Sequence, residues 1–222
     1  MRIKITGQII QKPASPKPIS NHTVYSALLP RLPKQGGEEA HEKERHFCLF
    51  TYSNPNVRYQ KDEISFYFSS LDEATLHLIA SLEQNPHMHF GLYAFEVTNI
   101  EAMPEVEDRE EILIRGKVLV TKEDHEPVAD KAEMAKYLGY YAENKLKALG
   151  LPDPVTFQVF QAIPTSTFYA QKGKSHFDNS VNIPGWHIHA TVKGHPKSLR
   201  ALYQIGFGQN VGTGNGLCWS VD

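Results

Sequence analysis

The sequence is poor in features that mark two common classes of protein. It has only two cysteines in 222 residues, Cys48 and Cys218, which excludes a disulfide-rich secreted scaffold and predicts reduced core thiols. No apolar run reaches the roughly 18 residues of a transmembrane helix, which excludes a helical membrane protein. The start, MRIKITGQII, alternates and lacks the apolar block of a signal peptide. We therefore expect a cytoplasmic protein that does not enter a membrane.

An excess of positive charge is also missing, since the formal net charge at pH 7 is −2. Contacts from Lys and Arg to phosphates supply most of the affinity of proteins for nucleic acids. Nucleic-acid binding would therefore need a local basic patch on this protein. Hydrophobic residues make up 41% of the chain and charged residues 22%, which is typical of a globular protein with a substantial core.

The first half of the chain shows the pattern order βαββαβ. Its strands are predicted from period-two alternation or β-rich runs, and its helices from apolar residues at helical spacing. A helix capped by Asn21 and running to about Leu32 and a second helix opened by the capping box Ser70-x-x-Glu73 separate the strands. In chain order, the strands are MRIKITGQII, FCLFTYS, EISFYFS and FGLYAFEVTNI.

The second half repeats this order after an acidic linker, 101–111. Its helices are KAEMAKYLGYYAENKLKALG, with Gly150 at the end, and PKSLRALYQI, opened by Pro196. Its strands are ILIRGKVLVTK, VTFQVFQAI, IPGWHIHATVKG and LCWSV. The duplication predicts an α+β fold of two tandem ferredoxin-like (βαββαβ) domains, residues 1–100 and 112–222.

The segment GFGQNVGTGNG, residues 206–216 and called the glycine loop below, is unusual because five of its eleven residues are glycine. It leads from a helix into a strand, whereas nucleotide-binding glycine loops lead from a strand into a helix. A Walker motif would also need Gly-Lys-Ser/Thr, which the loop lacks. Two interpretations stay open: a flexible surface turn, or a loop that packs closely on a neighbouring domain while its amides contact phosphates.

The glycine loop resembles a signature near the C-terminus of the RAMP superfamily, and more narrowly of the metal-independent endoribonucleases that cut CRISPR repeat RNA. Gly206-Phe207-Gly208, five further residues, and Gly214-x-Gly216 match its spacing. NHTVYSALLPRL, FCLFTYS, ISFYFSS, WHIHATVKG and LYQIGFG follow the family's order, so the resemblance spans nearly the whole chain. Two departures are Asn215 in place of a hydrophobic residue and the lack of Lys or Arg inside the loop.

The resemblance implies a reaction without metal or cofactor. The 2′-hydroxyl attacks the adjacent phosphate and leaves 2′,3′-cyclic phosphate and 5′-hydroxyl ends. In the family the catalytic histidine lies shortly before the strand that corresponds to LFTYS. The resemblance therefore implies that His41 is the proton-transfer residue, with His46 as the alternative. Histidine suits this role because its pKa lies near neutrality. Lys43 is expected to stabilise phosphate charge, and Tyr25 is the nearest match to a catalytic tyrosine of some relatives.

The resemblance also implies an RNA-contacting set composed of basic, polar and loop residues. It comprises Arg31, Arg45, His46, Lys172, Lys174, Gly206, Gly208, Gln209, Asn210, Gly214 and Gly216. The histidine pairs His87/His89 and His187/His189 have the i, i+2 spacing of zinc ligands. No nearby cysteine or carboxylate pair completes either site, so no metal is expected.

Three functions are compatible with this reading of the sequence. The first is an endoribonuclease that processes precursor CRISPR RNA. The second is a catalytically inactive repeat-RNA-binding protein, and the third is a structural RAMP subunit of a CRISPR interference complex. The implied partners are CRISPR repeat RNA and, for some members, a CRISPR effector complex. Monomer and homodimer both stay open.

Overall fold

The computed structural model describes residues 1–33, 50–122, 128–151, 154–170, 180–209 and 214–221. The helices are α1 (Asn21–Leu28), α2 (Asp72–Gln84), α3 (Lys131–Ala148) and α4 (Pro196–Ile205). The strands are β1 (Arg2–Gln11), β2 (Phe50–Tyr52), β3 (Asn56–Arg58), β4 (Glu63–Ser70), β5 (His87–Phe90), β6 (Tyr93–Ala102), β7 (Glu111–Val118), β8 (Thr156–Ala170), β9 (Ser180–Lys193) and β10 (Cys218–Ser220).

The first sheet has the strand order β2-β4-β1-β6-β5, with β3 paired to β4, and every pairing in it is antiparallel. Alternation in β1 places Ile3 and Ile5 on the buried face. Leu28 of α1 and Leu78 of α2 belong to the same apolar cluster as these isoleucines. The two helices therefore cover this one face of the sheet.

The second sheet has the order β10-β7-β9-β8, and its strands are also antiparallel. Its buried face includes Ile114 and Ile188, which cluster with Leu138 of α3 and Leu202 of α4. In each half the last and third strands flank the first, and the second strand lies outside the third. This is the ferredoxin-like arrangement, so the predicted α+β fold of tandem βαββαβ units is confirmed.

Several local predictions differ from the structure. Ser20, not Asn21, caps α1 by accepting a hydrogen bond from the Thr23 amide. The predicted Ser70 capping box is wrong, because β4 extends through Ser70 and α2 begins at Asp72 with no side-chain cap. The predicted strand FGLYAFEVTNI is a hairpin of β5 and β6, in which Gly91 turns the chain at a φ of 63°.

No helix in the described part of the chain is long and apolar enough to cross a membrane.

Candidate functional site

The described parts of the glycine loop pack tightly between the two sheets. A Cβ added to Gly206 would lie 3.1 Å from a side-chain atom of Thr51 in β2. The same addition to Gly208 would meet the Leu119 carbonyl oxygen at 2.8 Å, and at Gly214 it would meet the Tyr52 ring at 2.8 Å. The φ angles of these three glycines are 91°, 81° and 77°, which L side chains rarely adopt. The glycines are therefore needed for close packing at this position, called the sheet joint below.

Most backbone donors at the sheet joint already have partners inside the protein. Four amides donate at 2.7–2.9 Å: Gly206 to Leu202, Phe207 to Gly216, Gln209 to Leu119 and Gly216 to Lys117. The Gln209 side-chain oxygen accepts a bond of 2.7 Å from the Thr121 hydroxyl. These groups do not form an open anion-binding concavity. The structure shows these residues packed and hydrogen-bonded inside the protein. The RNA contacts expected of Gln209 and of the four glycines (Gly206, Gly208, Gly214 and Gly216) therefore stay predictions.

Lys145 of α3 holds the glycine loop from inside the protein. Its side chain is buried, and its ammonium donates hydrogen bonds of 2.8 Å to the carbonyl oxygens of Gly206 and Gly208. The contact also places a positive charge at the C-terminal end of α4, where the charge interacts favourably with the negative end of the helix dipole. One buried cation thus links α3 to the turn that carries the first glycine pair.

Arg2 of β1 makes the corresponding link from the first sheet to the second unit. Its guanidinium donates to the Tyr203 hydroxyl at 2.8 Å, to the Cys218 carbonyl at 2.8 Å and to the Tyr203 carbonyl at 3.0 Å. Burial lowers the pKa of Arg2. Burial also raises the pKa of the neighbouring Cys218 thiol to about 12, although the positive charges of Arg2 and Lys145 act to lower it. Cys218 is a free buried thiol and stays protonated near neutral pH.

Seven predicted site residues lie outside the described residues. They are His41, Lys43, Arg45 and His46 in segment 34–49, Lys172 and Lys174 in segment 171–179, and Asn210. The chain carrying the first four is attached to the described part at Pro33 and Phe50. Phe50 directly precedes Thr51, against which Gly206 packs.

Tyr25 and Arg31 occupy structural positions near that attachment point. The half-buried Tyr25 ring stacks on Phe50, with ring centroids 6.0 Å apart. The Arg31 guanidinium donates to the carbonyl oxygens of Asn85 at 2.9 Å and His87 at 2.7 Å, beyond the end of α2. Partial burial lowers the pKa of Arg31. Both residues support the fold, and their predicted catalytic and RNA-binding roles are kept only as predictions.

Pairing between β7 and β9 creates a cluster that the sequence reading did not predict. Arg115 lies opposite His189 and Lys117 lies opposite His187, so all four side chains lie on one face of the sheet. This surface is called the basic face below, and it lies opposite the face covered by α3 and α4. Each strand shows its own i, i+2 pair in the sequence, but only the register brings the two pairs together.

The charges of the basic face are not balanced locally. Within the described part of the chain, no carboxylate lies within 4.0 Å of a side-chain nitrogen of the four residues. Burial lowers the pKa of Lys117. Burial also lowers the pKa of His187, and the nearby charges of Lys117 and Arg115 lower it further. Arg115 and Lys117 therefore supply the positive charge of a surface that attracts anions.

Trp219 connects the basic face to the first sheet. It lies opposite Arg115 in the pairing of β10 with β7. The Arg2 guanidinium lies 4.7 Å from its ring centroid, and the Tyr67 ring of β4 meets it edge-on at 4.7 Å. An aromatic platform thus lies beside the cations where the two sheets meet.

Metal ligation has no support in the described ranges, where no group of three or more His, Cys, Asp or Glu side chains is arranged to hold an ion. This statement covers both histidine pairs considered in the sequence.

The chain is similar in structure to several solved proteins along its whole length. No protein-family model and no curated protein sequence matches it. A structure described as "Characterization of a Cas6-related gene from Pyrococcus furiosus" gives a TM-score of 0.72 at 18% identity, covering 100% of this chain and 98% of that one. "An RAMP protein binding different RNA substrates" gives 0.71 at 20% identity, covering 100% of both.

A third structure, "CRISPR associated protein Cas6", gives a TM-score of 0.69 at 18% identity and covers 100% of this chain and 99% of that chain. Identities at this level establish a common fold and not a common activity. The chain thus has, over its full length, the tandem ferredoxin-like fold of the Cas6 and RAMP proteins.

Proposed function

We propose that this protein is a metal-independent endoribonuclease that cleaves precursor CRISPR RNA within its repeat. The observation that carries the proposal is the full-length similarity to Cas6 and RAMP structures, joined to a glycine loop of the matching spacing. The packing of this loop against Thr51 and Tyr52 adds support. Thr51 and Tyr52 follow Phe50, at which the segment carrying His41 and His46 is attached, so chain connectivity links that segment to the sheet joint.

The proposed reaction is an internal transesterification. The 2′-oxygen forms a bond to the adjacent phosphorus as its proton passes to a base, and the bond from phosphorus to the 5′-oxygen breaks as that oxygen takes up a proton. We assign one of these proton transfers to His41, with His46 as the alternative. Lys43 would neutralise the charge that grows on the phosphate oxygens. Because Tyr25 stacks on Phe50, its contribution is proposed to be support of the attachment point.

The test is incubation of the purified protein with its repeat RNA in EDTA. We expect one discrete cut with a 2′,3′-cyclic phosphate end, and a rate lower by about 10²–10⁴ in His41→Ala. Loss of the cut in His46→Ala alone would move the role to His46. A 2′-deoxy substitution at the cut should stop cleavage and spare binding. Persistent cutting of that substrate would contradict the mechanism.

A repeat-RNA-binding protein without cleavage is the second candidate. It is favoured by the packing of the Tyr25 ring on Phe50 and by the lack of Lys and Arg in the glycine loop. Tight binding of repeat RNA without any cut would establish it.

A further inference from the structure

A small cavity lies where β1 meets α4 and the acidic linker between the two units. Its walls include Arg2 of β1, Arg200, Tyr203 and Gln204 of α4, and Glu105 of the linker. The centre of a water-sized sphere has about 10 Å³ in which to lie, which is room for one such particle. This space, called the arginine cavity below, therefore lies on the boundary between the two ferredoxin-like units.

Each arginine of the cavity has a hydrogen-bond donor that the protein does not use. The Nε atoms of Arg2 and Arg200 are buried, and within the described ranges neither has a hydrogen-bond partner. Arg2 is only 2% exposed, so bulk solvent does not satisfy its donor. A buried donor on a charged group is costly when it stays unpaired. Two such donors at one cavity indicate a ligand that accepts hydrogen bonds.

The positive charge of Arg2 also lacks a counterion. Its guanidinium donates to neutral acceptors, the Tyr203 hydroxyl and the carbonyl oxygens of Tyr203 and Cys218. In the described part of the chain no carboxylate oxygen lies within 4.0 Å of its nitrogens. A buried charge is unfavourable unless an opposite charge offsets it, and burial lowers the pKa of Arg2 accordingly. Water would accept the hydrogen bonds but supply no charge, whereas an anion does both.

The carboxylates near the cavity have other positions or partners. Asp108 accepts a bond of 2.5 Å from Arg200, through a terminal nitrogen of the guanidinium and not through Nε. Asp72 accepts a bond of 2.8 Å from the Met1 ammonium. Glu105 lines the cavity but is exposed to solvent. Glu105 is therefore the carboxylate that competes with a bound anion.

We propose that the arginine cavity binds one chloride ion, which accepts hydrogen bonds from Nε of Arg2 and Nε of Arg200. The size of the cavity selects a monatomic anion, because phosphate, sulfate and carboxylates each have several heavy atoms. The inference does not depend on the proposed function, since it requires no RNA.

The ion joins the two units at their boundary. Arg2 belongs to the first sheet, whereas Arg200 belongs to the last helix of the second unit. The unfolded chain does not hold these two donors together, so chloride binds the folded protein in preference. A ligand of this kind raises stability in a saturable way as its concentration rises. The stability of the protein should therefore depend on chloride and not only on ionic strength.

The first experiment measures thermal unfolding while sodium chloride replaces sodium gluconate at constant ionic strength. Gluconate is too large for the cavity. The unfolding temperature should rise by about 3 °C between no chloride and about 0.2 M chloride, and then level off. Arg200→Gln should remove most of this rise, because it deletes one Nε donor at a partly exposed position. Arg58→Gln is the matched control and should keep the rise, since Arg58 is also a partly exposed arginine paired with a carboxylate.

The variant Glu105→Gln distinguishes a bound ion from a counterion supplied by the protein. Removal of this negative charge should tighten chloride binding, so that half of the temperature rise needs about half as much chloride. If the Glu105 carboxylate itself were the counterion, the wild-type protein would not respond to chloride and only the variant would respond. That result would overturn the proposal.

The second experiment locates the ion with bromide in place of chloride. Crystals of the protein grown in sodium bromide should show an anomalous peak between Nε of Arg2 and Nε of Arg200, and Arg200→Gln should remove it. A peak without a saturable rise in unfolding temperature would mean an adventitious ion only and would overturn the proposal. An equal rise in Arg200→Gln and in the wild-type protein would place the chloride effect elsewhere and overturn the site. Neither result bears on the proposed function, which the cleavage assay tests separately.

Discussion

The cations at the sheet joint and those on the basic face differ in their surroundings. Lys145 and Arg2 are buried, and each donates hydrogen bonds to backbone carbonyl oxygens of the second unit. Arg115 and Lys117 make no ion pair among the described residues and lie beside two histidines. A buried cation that donates to backbone carbonyl oxygens holds the fold together, whereas like charges on one face of a strand weaken it slightly. The comparison distinguishes two cations that stabilise the fold from two cations whose charge is open to an anionic ligand.

The largest expected effect that would sharpen this comparison is at Lys145. Lys145→Met keeps much of the side-chain volume but leaves two buried carbonyl oxygens without this donor. The free energy of unfolding should fall by about 3 kcal/mol. Lys147→Met, an exposed position on the same helix, should change it by no more than about 0.5 kcal/mol. Urea unfolding of both variants measures the difference, and equal effects would contradict the role of Lys145 in holding the loop.

A smaller effect is expected from Gly208→Ala. The new Cβ would approach the Leu119 carbonyl oxygen to 2.8 Å at a φ of 81°, so the loop or the backbone just after β7 must shift. We expect a loss of about 2 kcal/mol in the free energy of unfolding. Gly150→Ala is the matched control, since its φ of 68° is similar but nothing lies within 4 Å of the added atom. Its cost should be about 1 kcal/mol, from the backbone alone. A Gly208 variant no less stable than the Gly150 variant would refute tight packing of the loop.

The smallest expected effect has the opposite sign. Arg115→Gln with Lys117→Gln removes unbalanced charge from the basic face, and the free energy of unfolding should rise by about 0.5 kcal/mol. Thermal unfolding at low salt measures this change, and added salt should reduce it because salt screens exposed charges. A marked loss of stability in this variant would show that Arg115 and Lys117 stabilise the fold as Lys145 and Arg2 do, and would contradict the difference between the two groups of cations.

Much of the fold follows from local pattern. Period-two alternation identified β1, a β-rich run identified β4, and an apolar stripe identified α2. Gly150 marked the end of α3. The errors lie where tertiary pairing overrides local preference. Ser70 has the sequence signature of a capping residue, yet pairing with Phe50 of β2 keeps it in a strand. The turn at Gly91 divides a continuous apolar run that looked like one strand.

The candidate site was less accessible to sequence reasoning. The sequence left two interpretations of the glycine loop open, and the contacts of Gly206 with Thr51 and of Gly214 with Tyr52 favour packing on the neighbouring unit. Contact of the loop amides with phosphates stays a prediction. The roles of Lys145 and Arg2 were not predicted, because nothing in the local sequence distinguishes a buried lysine in α3 from its exposed neighbours. The roles of His41 and His46 stay predictions that the cleavage assay decides.

The sequence by itself determined the tandem βαββαβ order and the place of the glycine loop between α4 and β10. Both depend on periodicity and on backbone conformations that only certain residues adopt. Only the tertiary structure decided which charged groups meet. The strand register brought Arg115 and Lys117 beside His189 and His187. The folded chain also buries Lys145 and Arg2, where both donate hydrogen bonds to backbone carbonyl oxygens. The physical reason is that charge interactions depend on distance and solvent exposure, which long-range pairing sets and local sequence does not.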